Sequence, residues 1–204
     1  MANVDINNPS AKERVSVMWQ LINDCVEDMH PASPSNYKTN LKKFLLHVAW
    51  HEGKFLLTRI QDPRTSGGVP GPGRSFFQFE PPRAKEAIDY AKQKEPDKKW
   101  LTMIAIRSGQ SPEALRDSSV DLTFTTTWPA SNLIEQLLIN NDLFGVYLAR
   151  IAFAKIPESI PENNNGHAEY WAKYWKRVFN PGENRTELVN RFAEEANKAD
   201  SYLS

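Results

Sequence analysis

Apolar residues recur every three or four positions along most of this chain, and this spacing restricts the folds that it can adopt. The first stripe follows a capping box made by Ser10 and Glu13 and steps through Val15 and Ile22. Residues at these intervals share one face of an α-helix, where they can be buried together. The pattern therefore predicts an amphipathic helix that begins at about Ser10 and ends before Pro31.

Helical spacing and helix-capping residues predict several further helices. They cover residues 35–53, 81–93, 111–119, 131–155 in two pieces that break near 140–142, a Trp/Tyr-rich stretch around 170–175, and a last helix from 184. Residues 98–108 fit a short helix or a buried strand, and periodicity does not decide between them. The β-branched run at 120–128 fits a strand or an extended loop. We therefore expect an all-α or mainly α fold with at most a small hairpin.

Size and charge narrow the function classes. A chain of 204 residues is long enough for one sizeable core, and we expect a single domain over 1–204. Lys plus Arg and Asp plus Glu number 25 each, so no overall positive field attracts nucleic acid or anionic membranes. The single cysteine, Cys25, lies in an apolar helical stripe, where we expect a small buried residue.

The first residues of the chain have neither the basic start nor the apolar run of a secretory signal. No stretch approaches the ~18 apolar residues that a membrane-spanning helix needs. These features predict a soluble protein that does not insert into membranes. If its substrate lies outside the membrane, another component must deliver the protein there.

Glu52 has the strongest indication of chemistry. It stands at the end of the second predicted helix, near Trp50 and Phe55, and the Gly- and Pro-rich segment 61–75 follows it. A carboxyl in an apolar cleft at a helix C-terminus is favoured in its protonated form. Such a group can give the proton that the leaving oxygen of a glycosidic bond requires. The glycines allow close approach of a ligand to the backbone, and Gln78 offers both a donor and an acceptor.

Three short segments resemble the soluble lytic transglycosylase and goose-type lysozyme superfamily. AWHEG, residues 49–53, is similar to the family's A-x-x-E-S, and SFFQFEP, residues 75–81, is similar to its G-L-x-Q-hydrophobic-x-P. VFNPG, residues 178–182, resembles the third motif, A-Y-N-A-G. The sequence departs from the family at Gly53, where Ser is usual, and at Ser75, where Gly is usual.

The resemblance implies a mainly α, lysozyme-like domain with helical N- and C-terminal extensions. A short Gly-rich loop or small β-hairpin would lie beside the active-site cleft. Glu52 would be the general acid/base, and the substrate-binding residues would be Ser75, Phe77, Gln78, Phe179 and Asn180. Trp128 precedes Pro129 in a predicted loop and is a further candidate, because an exposed indole can stack on a sugar.

The substrate implied by the resemblance is bacterial peptidoglycan, cleaved without a metal or other cofactor. The chain also resembles phage tail-associated or internal virion lysozymes, which implies virion or tail proteins as partners and action on the host's periplasmic cell wall. A hydrolase that uses two carboxylates would need the second one at a defined distance from Glu52. Asp62 lies in a loop, and Glu80 stands where the family has an uncharged residue. The resemblance therefore implies a lytic transglycosylase, with attack by water as the alternative.

Two other functions stay open. His47 and His51 lie four residues apart on one helix face, as zinc ligands do, and His167 or a carboxylate would have to be the third ligand. His47 also fits a hydrogen-bonded histidine of the core. The departures at Gly53 and Ser75 fit a virion structural or adaptor protein with an inactive lysozyme-like fold.

Four aromatic residues share one predicted helix and could stack on sugars. They are Tyr170, Trp171, Tyr174 and Trp175. Their spacing of three and four residues favours packing into the core instead.

Overall fold

The computed structural model describes residues 3–7, 10–61, 71–125, 130, 132–177 and 179–204. These residues form nine α-helices and one π-helical turn, and no strand. The α-helices are α1 (Ala11–Met29), α2 (Ser35–Glu52), α3 (Pro81–Lys98), α4 (Trp100–Ser108), α5 (Pro112–Ser118), α6 (Leu133–Asn140), α7 (Asp142–Ala154), α8 (Asn164–Trp171) and α9 (Arg185–Asp200). The π-helical turn, Ala172–Lys176, continues directly from α8. The mainly helical class predicted from the sequence is confirmed.

Polar side chains fix where several helices begin. The cap residues that accept a hydrogen bond from the first turn are Ser10, Ser111, Asn132, Asn141, Asn163 and Asn184. Asn141 also ends α6, so the predicted break near 140–142 falls at this residue. Residues 98–108 are helical rather than extended, and Lys99 separates α3 from α4 with a left-handed backbone, φ 52°. Residues 120–125, the described part of the β-branched run, contain no strand.

Helix α7 forms the centre of the core. Nearly all of its side chains are buried, including those of Asp142 and Arg150, and it packs on α1, α3, α4 and α6. Helix α2 lies between α1 and α9 and also contacts α8. Cys25 of α1 is fully buried, as predicted. This arrangement places the C-terminal end of α2 against the aromatic residues of α8.

The glycine-rich region does not form a strand-paired hairpin in its described residues. Isolated bridges join Ile60 to Arg74 and Arg74 to Phe79. The buried Arg74 attaches this region to α6, because its Nε lies 2.9 Å from Oε1 of the buried Glu135. Its Nη2 also donates to the Thr125 carbonyl oxygen at 2.6 Å. The buried guanidinium therefore helps to hold this region as a loop, one of the two forms that the sequence predicts.

Within the described ranges, no single helix combines the length and the hydropathy of a membrane span. Helices α6 and α7 pass the length and composition criteria only as a pair, and the pair is bent by 109°.

Candidate active site

Glu52 is the last residue of α2, and its side chain is half-buried. Trp171 of α8 donates its indole Nε1–H to Glu52 Oε1 at 2.7 Å. Arg83 of α3 is close enough for its charge to interact with that of Glu52. Burial lowers the pKa of Arg83 and repulsion from Arg177 lowers it further, whereas attraction to Glu52 opposes both. Glu52 thus has a neutral donor on one oxygen and a partly buried cation nearby.

The chain leaves α2 through a turn of unusual backbone conformation. Lys54, Phe55 and Leu56 all have positive φ angles, of 47°, 64° and 58°. Left-handed backbone costs a non-glycine residue roughly 1–2 kcal/mol, so three in succession must be held by their surroundings. The Trp50 carbonyl accepts from Phe55 N at 2.7 Å, and Leu56 is fully buried. The segment after Glu52 is therefore strained, a property that is frequent at functional sites.

Gly53 brings the loop of residues 75–78 against the end of α2. A Cβ on Gly53 would lie 2.8 Å from Cδ1 of Phe76 and 2.7 Å from the Ala49 carbonyl oxygen. Real Cβ atoms essentially never come this close to other atoms, and Phe76 is fully buried. The residue after Glu52 is therefore glycine because the 75–78 loop packs directly on it.

The backbone of the 75–78 loop is left-handed at two positions. Ser75 has φ 67° and Gln78 has φ 49°. The Gln78 side chain folds back, and its Nε2 donates to the Ser75 carbonyl oxygen at 2.9 Å. Ser75 packs against α7, where Gly145 leaves the space that its hydroxyl occupies. Glycine adopts a φ of 67° most easily. Ser75 stands where the superfamily usually has glycine, yet its backbone has the conformation that favours glycine.

Two of the residues predicted to bind substrate are inside the protein. Ser75 is 1% exposed and Phe77 is 0% exposed, so neither presents its side chain to a ligand in this structure. Phe77 instead faces Trp175, with 6.5 Å between ring centroids. Gln78 is half-buried and bonded within its own loop. The structure therefore brings the loop to Glu52 through Phe76 rather than through the polar groups predicted to bind sugar.

The remaining predicted residues are dispersed. Phe179 is half-buried and Asn180 is exposed, in a turn where Asn180 N donates to Glu183 Oε2 at 2.6 Å. Glu80, a possible second carboxylate, is exposed immediately before α3. Trp128 and Asp62 lie outside the described residues.

Packing dominates among the four aromatic residues around the end of α8, as their spacing predicts. Tyr170, Trp171 and Trp175 are buried, and Tyr174 is half-buried. The Trp175 ring lies 5.3 Å from that of Phe79, next to the 75–78 loop. Trp171 combines this packing with the hydrogen bond to Glu52.

A buried polar network occupies the other side of α2, and we call it the histidine cluster (His47, His167 and Asp200). His47 and His167 are 1% and 0% exposed. Their Nδ1 atoms lie 2.9 Å apart, and His47 Nε2 lies 3.1 Å from Asp200 Oδ1. His167 Nε2 lies 2.8 Å from the Pro161 carbonyl oxygen. The cluster joins α2, α8 and α9, and His47 is the hydrogen-bonded core histidine that its position predicts.

The partners of the histidine cluster determine how many protons it holds. The Asp200 carboxylate and the Pro161 carbonyl only accept, so both Nε2 atoms must donate. The contact between the two Nδ1 atoms needs one further proton. Two neutral imidazoles supply only two N–H groups, so the three contacts cannot all be hydrogen bonds when both rings are neutral.

The surroundings of the cluster shift two of its pKa values. Burial lowers the pKa of His167 to about 4, and repulsion from His47 acts in the same direction. Burial opposes ionisation of Asp200, but hydrogen bonds from His47 and Asn164 outweigh it and lower the pKa to about 2.

His51 has partners different from those of His47. Its Nδ1 lies 2.7 Å from Glu195 Oε2, and its ring packs 4.6 Å from that of Trp171 and 5.0 Å from that of Phe192. In the part of the chain that the structure describes, no three His, Cys, Asp or Glu side chains are grouped to hold a metal ion. The two histidines considered as zinc ligands therefore belong to separate networks.

Sequence reasoning missed several side chains that interact with the polar residues of α2. The spacing of Trp171 favours packing over sugar stacking and does not indicate its hydrogen bond, although a buried indole usually finds an acceptor for its N–H. Arg83 stands in the first turn of α3, where nothing in its local pattern sets it apart. Glu195 and Asp200 lie on the polar side of an amphipathic helix and give no local signal.

No protein-family model, curated protein or solved structure matches this chain. The resemblance to a known superfamily stays confined to three short motifs. Any function must therefore be supported by individual residues and their contacts.

Proposed function

We propose that this protein cleaves the glycan strands of bacterial peptidoglycan, with Glu52 as the general acid/base. The observation that carries the proposal is the contact between Gly53 and Phe76, with only 2.8 Å between Phe76 Cδ1 and a Cβ built on the glycine. These two residues belong to the two segments whose sequences resemble the transglycosylase motifs. The motif pair in the sequence is thus also a contact in space.

The surroundings of Glu52 suit a group that gives and takes a proton. The indole of Trp171 donates to Oε1 and orients the carboxyl, and we propose that Oε2 faces the substrate oxygen. Arg83 would stabilise the carboxylate that forms once the proton has left. The strained turn Lys54–Leu56 follows Glu52 and Gly53 directly.

We propose the transglycosylase reaction rather than hydrolysis, because the motif resemblance implies it. Glu80 is exposed and precedes α3. The sugar's own N-acetyl group would then assist bond cleavage while Glu52 protonates the leaving oxygen. Glu52 would next take the proton from the 6-hydroxyl as that oxygen closes the ring. Attack by water is the alternative.

Glu52→Gln tests the site. The amide cannot donate an acidic proton, so we expect the rate of cell-wall cleavage to fall on the order of 10²–10⁴-fold. The amide oxygen can still accept from Trp171, so thermal unfolding should stay close to wild type. Glu113→Gln, on the exposed face of α5, is the matched control and should retain full activity. Near-wild-type clearing by Glu52→Gln would show that the site assignment is wrong.

Product masses distinguish the two reactions. Purified peptidoglycan is digested, and the muropeptides are separated and weighed. Ring closure by the 6-hydroxyl gives products lighter by one water than hydrolysis does, with no new reducing end. New reducing ends would show that the reaction is hydrolysis and not transglycosylation.

A second candidate, a virion structural or adaptor protein that has lost activity, is favoured by the burial of Ser75 and Phe77 and by the inward amide of Gln78. It predicts a folded protein that does not cleave cell walls. In that case Glu52→Gln would be indistinguishable from wild type in every assay. Both candidates are compatible with delivery by a phage particle, which we propose from the motif resemblance.

A further inference from the structure

An open cavity lies beside α8 and the π-helical turn. It has a volume of about 520 Å³, within the range of small-molecule sites. Tyr170, Tyr174 and Phe179 give it an aromatic lining. Two carboxylates and three cationic side chains surround these rings.

One positive charge of this cavity has no carboxylate partner in the described part of the chain. Lys173 pairs with Glu158 at 3.3 Å, and Arg185 pairs with Glu169. Arg177 is exposed, and its Nε donates to the Tyr174 carbonyl oxygen at 2.9 Å. The rest of its planar guanidinium faces no described carboxylate, so it can receive an anionic group from a ligand.

The backbone that presents Arg177 is also unusual. The five residues before it form a π-helical turn, an arrangement frequent at functional sites. Arg177 itself has φ 57° and ψ −53°, a conformation that L residues rarely adopt. This geometry directs an unpaired cation to the edge of an aromatic cavity.

One short chain segment contributes both to the surroundings of Glu52 and to the lining of the cavity. Trp171 contacts Glu52, and the next two residues, Ala172 and Lys173, line the cavity. A narrow cleft that Arg83 lines also shares Tyr174 and Arg177 with the cavity. A polymer bound at Glu52 could thus place a side group in the cavity.

We infer that this cavity binds a carboxylate of the peptide stem of peptidoglycan, with Arg177 as the anchor. The inference rests on the proposed function and adds to it the part of the substrate that is recognised. A stem-peptide carboxylate matches the single unpaired guanidinium, and the apolar atoms next to it match the aromatic lining.

Two probes test this inference: a soluble disaccharide-tripeptide and the same compound with its carboxylates converted to carboxamides. Both are titrated calorimetrically into the Glu52→Gln protein, so that no probe is cleaved. We expect the acid to bind roughly 10-fold or more tightly than the amide, as charged hydrogen bonds allow. Adding Arg177→Gln should remove the difference, and Arg177→Lys should retain part of it. Arg116→Gln, on the distant α5, should retain all of it.

Equal affinity for the two probes would overturn the inference, and so would a preference that survives Arg177→Gln or disappears with Arg116→Gln. Cleavage by wild-type protein is measured separately on whole cell walls. Cleavage without Arg177-dependent binding would contradict the inference about the cavity but would still support the proposed function. Arg177-dependent binding without cleavage would support the assignment of the cavity and contradict the proposed enzymatic function.

Discussion

His47 and Glu52 lie five residues apart on α2, yet their surroundings are opposite. His47 is buried, and both of its ring nitrogens have partners, on α8 and α9. Glu52 is half-buried, receives one hydrogen bond, from Trp171, and precedes a strained turn. A polar group with all its partners stabilises the fold, whereas one with an open side can act on a ligand. We therefore expect mutations at the two positions to have different effects.

The largest effect on folding should come from His47→Leu. This change leaves the buried His167 and the Asp200 carboxylate without their common partner, which we expect to lower the free energy of unfolding by about 3–5 kcal/mol. Glu52→Gln should change the same quantity by less than about 0.5 kcal/mol. Chemical denaturation of both variants measures the contrast. If both variants lost the same free energy of unfolding, the two sides of α2 would not differ in their contribution to stability.

Acid should destabilise the protein through buried histidines. The pKa of His167 is lowered from 6.5 to about 4, so the unfolded chain binds more protons than the folded one between these values. Stability should therefore fall as the pH decreases from about 6.5 to about 4, by on the order of 3 kcal/mol for this group. His30 acts in the same direction, because burial and Arg150 lower its pKa to about 4.

Unfolding measured from pH 7 to pH 4 tests this expectation, with His30→Asn as the comparison that leaves His167 as the main contributor. A stability that stays flat over this range in His30→Asn would contradict the assignment to His167.

Gly53→Ala should give a smaller loss, confined to the Glu52 side. The new Cβ would meet Phe76 Cδ1 and the Ala49 carbonyl oxygen at 2.8 and 2.7 Å, so the 75–78 loop must move. We expect about 1–3 kcal/mol lower stability, as for other overpacked sites. Activity should fall further than in Glu113→Gln because the two motifs separate. Unchanged activity in the Gly53→Ala variant would show that their contact has no functional role.

The smallest effect should be a difference in stability between two variants of Ser75. Ser75 has φ 67°, so Ser75→Gly should be more stable than Ser75→Ala by about 1 kcal/mol. Both variants lose the hydroxyl, so their difference isolates the backbone. If alanine and glycine were equally stable here, the left-handed conformation of the loop would carry no strain.

Local patterns predicted the helices, because caps and apolar spacing act within a few residues. Asn141 is an example, since the same side chain marks a break in the sequence and caps α7 in the structure. The partners of α2 could not be predicted in this way. His47 meets Asp200 across 153 residues, and Glu52 meets Trp171 across 119. The local sequence does not indicate which faces of distant helices pack against each other.

The 75–78 loop shows a different limit. Its sequence resembles a substrate-binding motif, and the structure does bring it to the end of α2 through Phe76. Burial of Phe77 could not be distinguished from exposure beforehand, because an aromatic run suits both a core and a sugar-binding surface. Left-handed backbone at Ser75 and Gln78 gave no signal either, since neither residue is one that typically marks such a conformation.

The position of α9 has a consequence for synthesis on the ribosome. Glu195, the partner of His51, is synthesised 144 residues after it, and Asp200, a partner of His47, is synthesised later still. At typical rates of translation the interval is about 7–30 s. Throughout that time α2 is complete but two of its polar side chains lack their permanent partners. The contacts that hold α2 against α9 therefore form only after α9 has been synthesised.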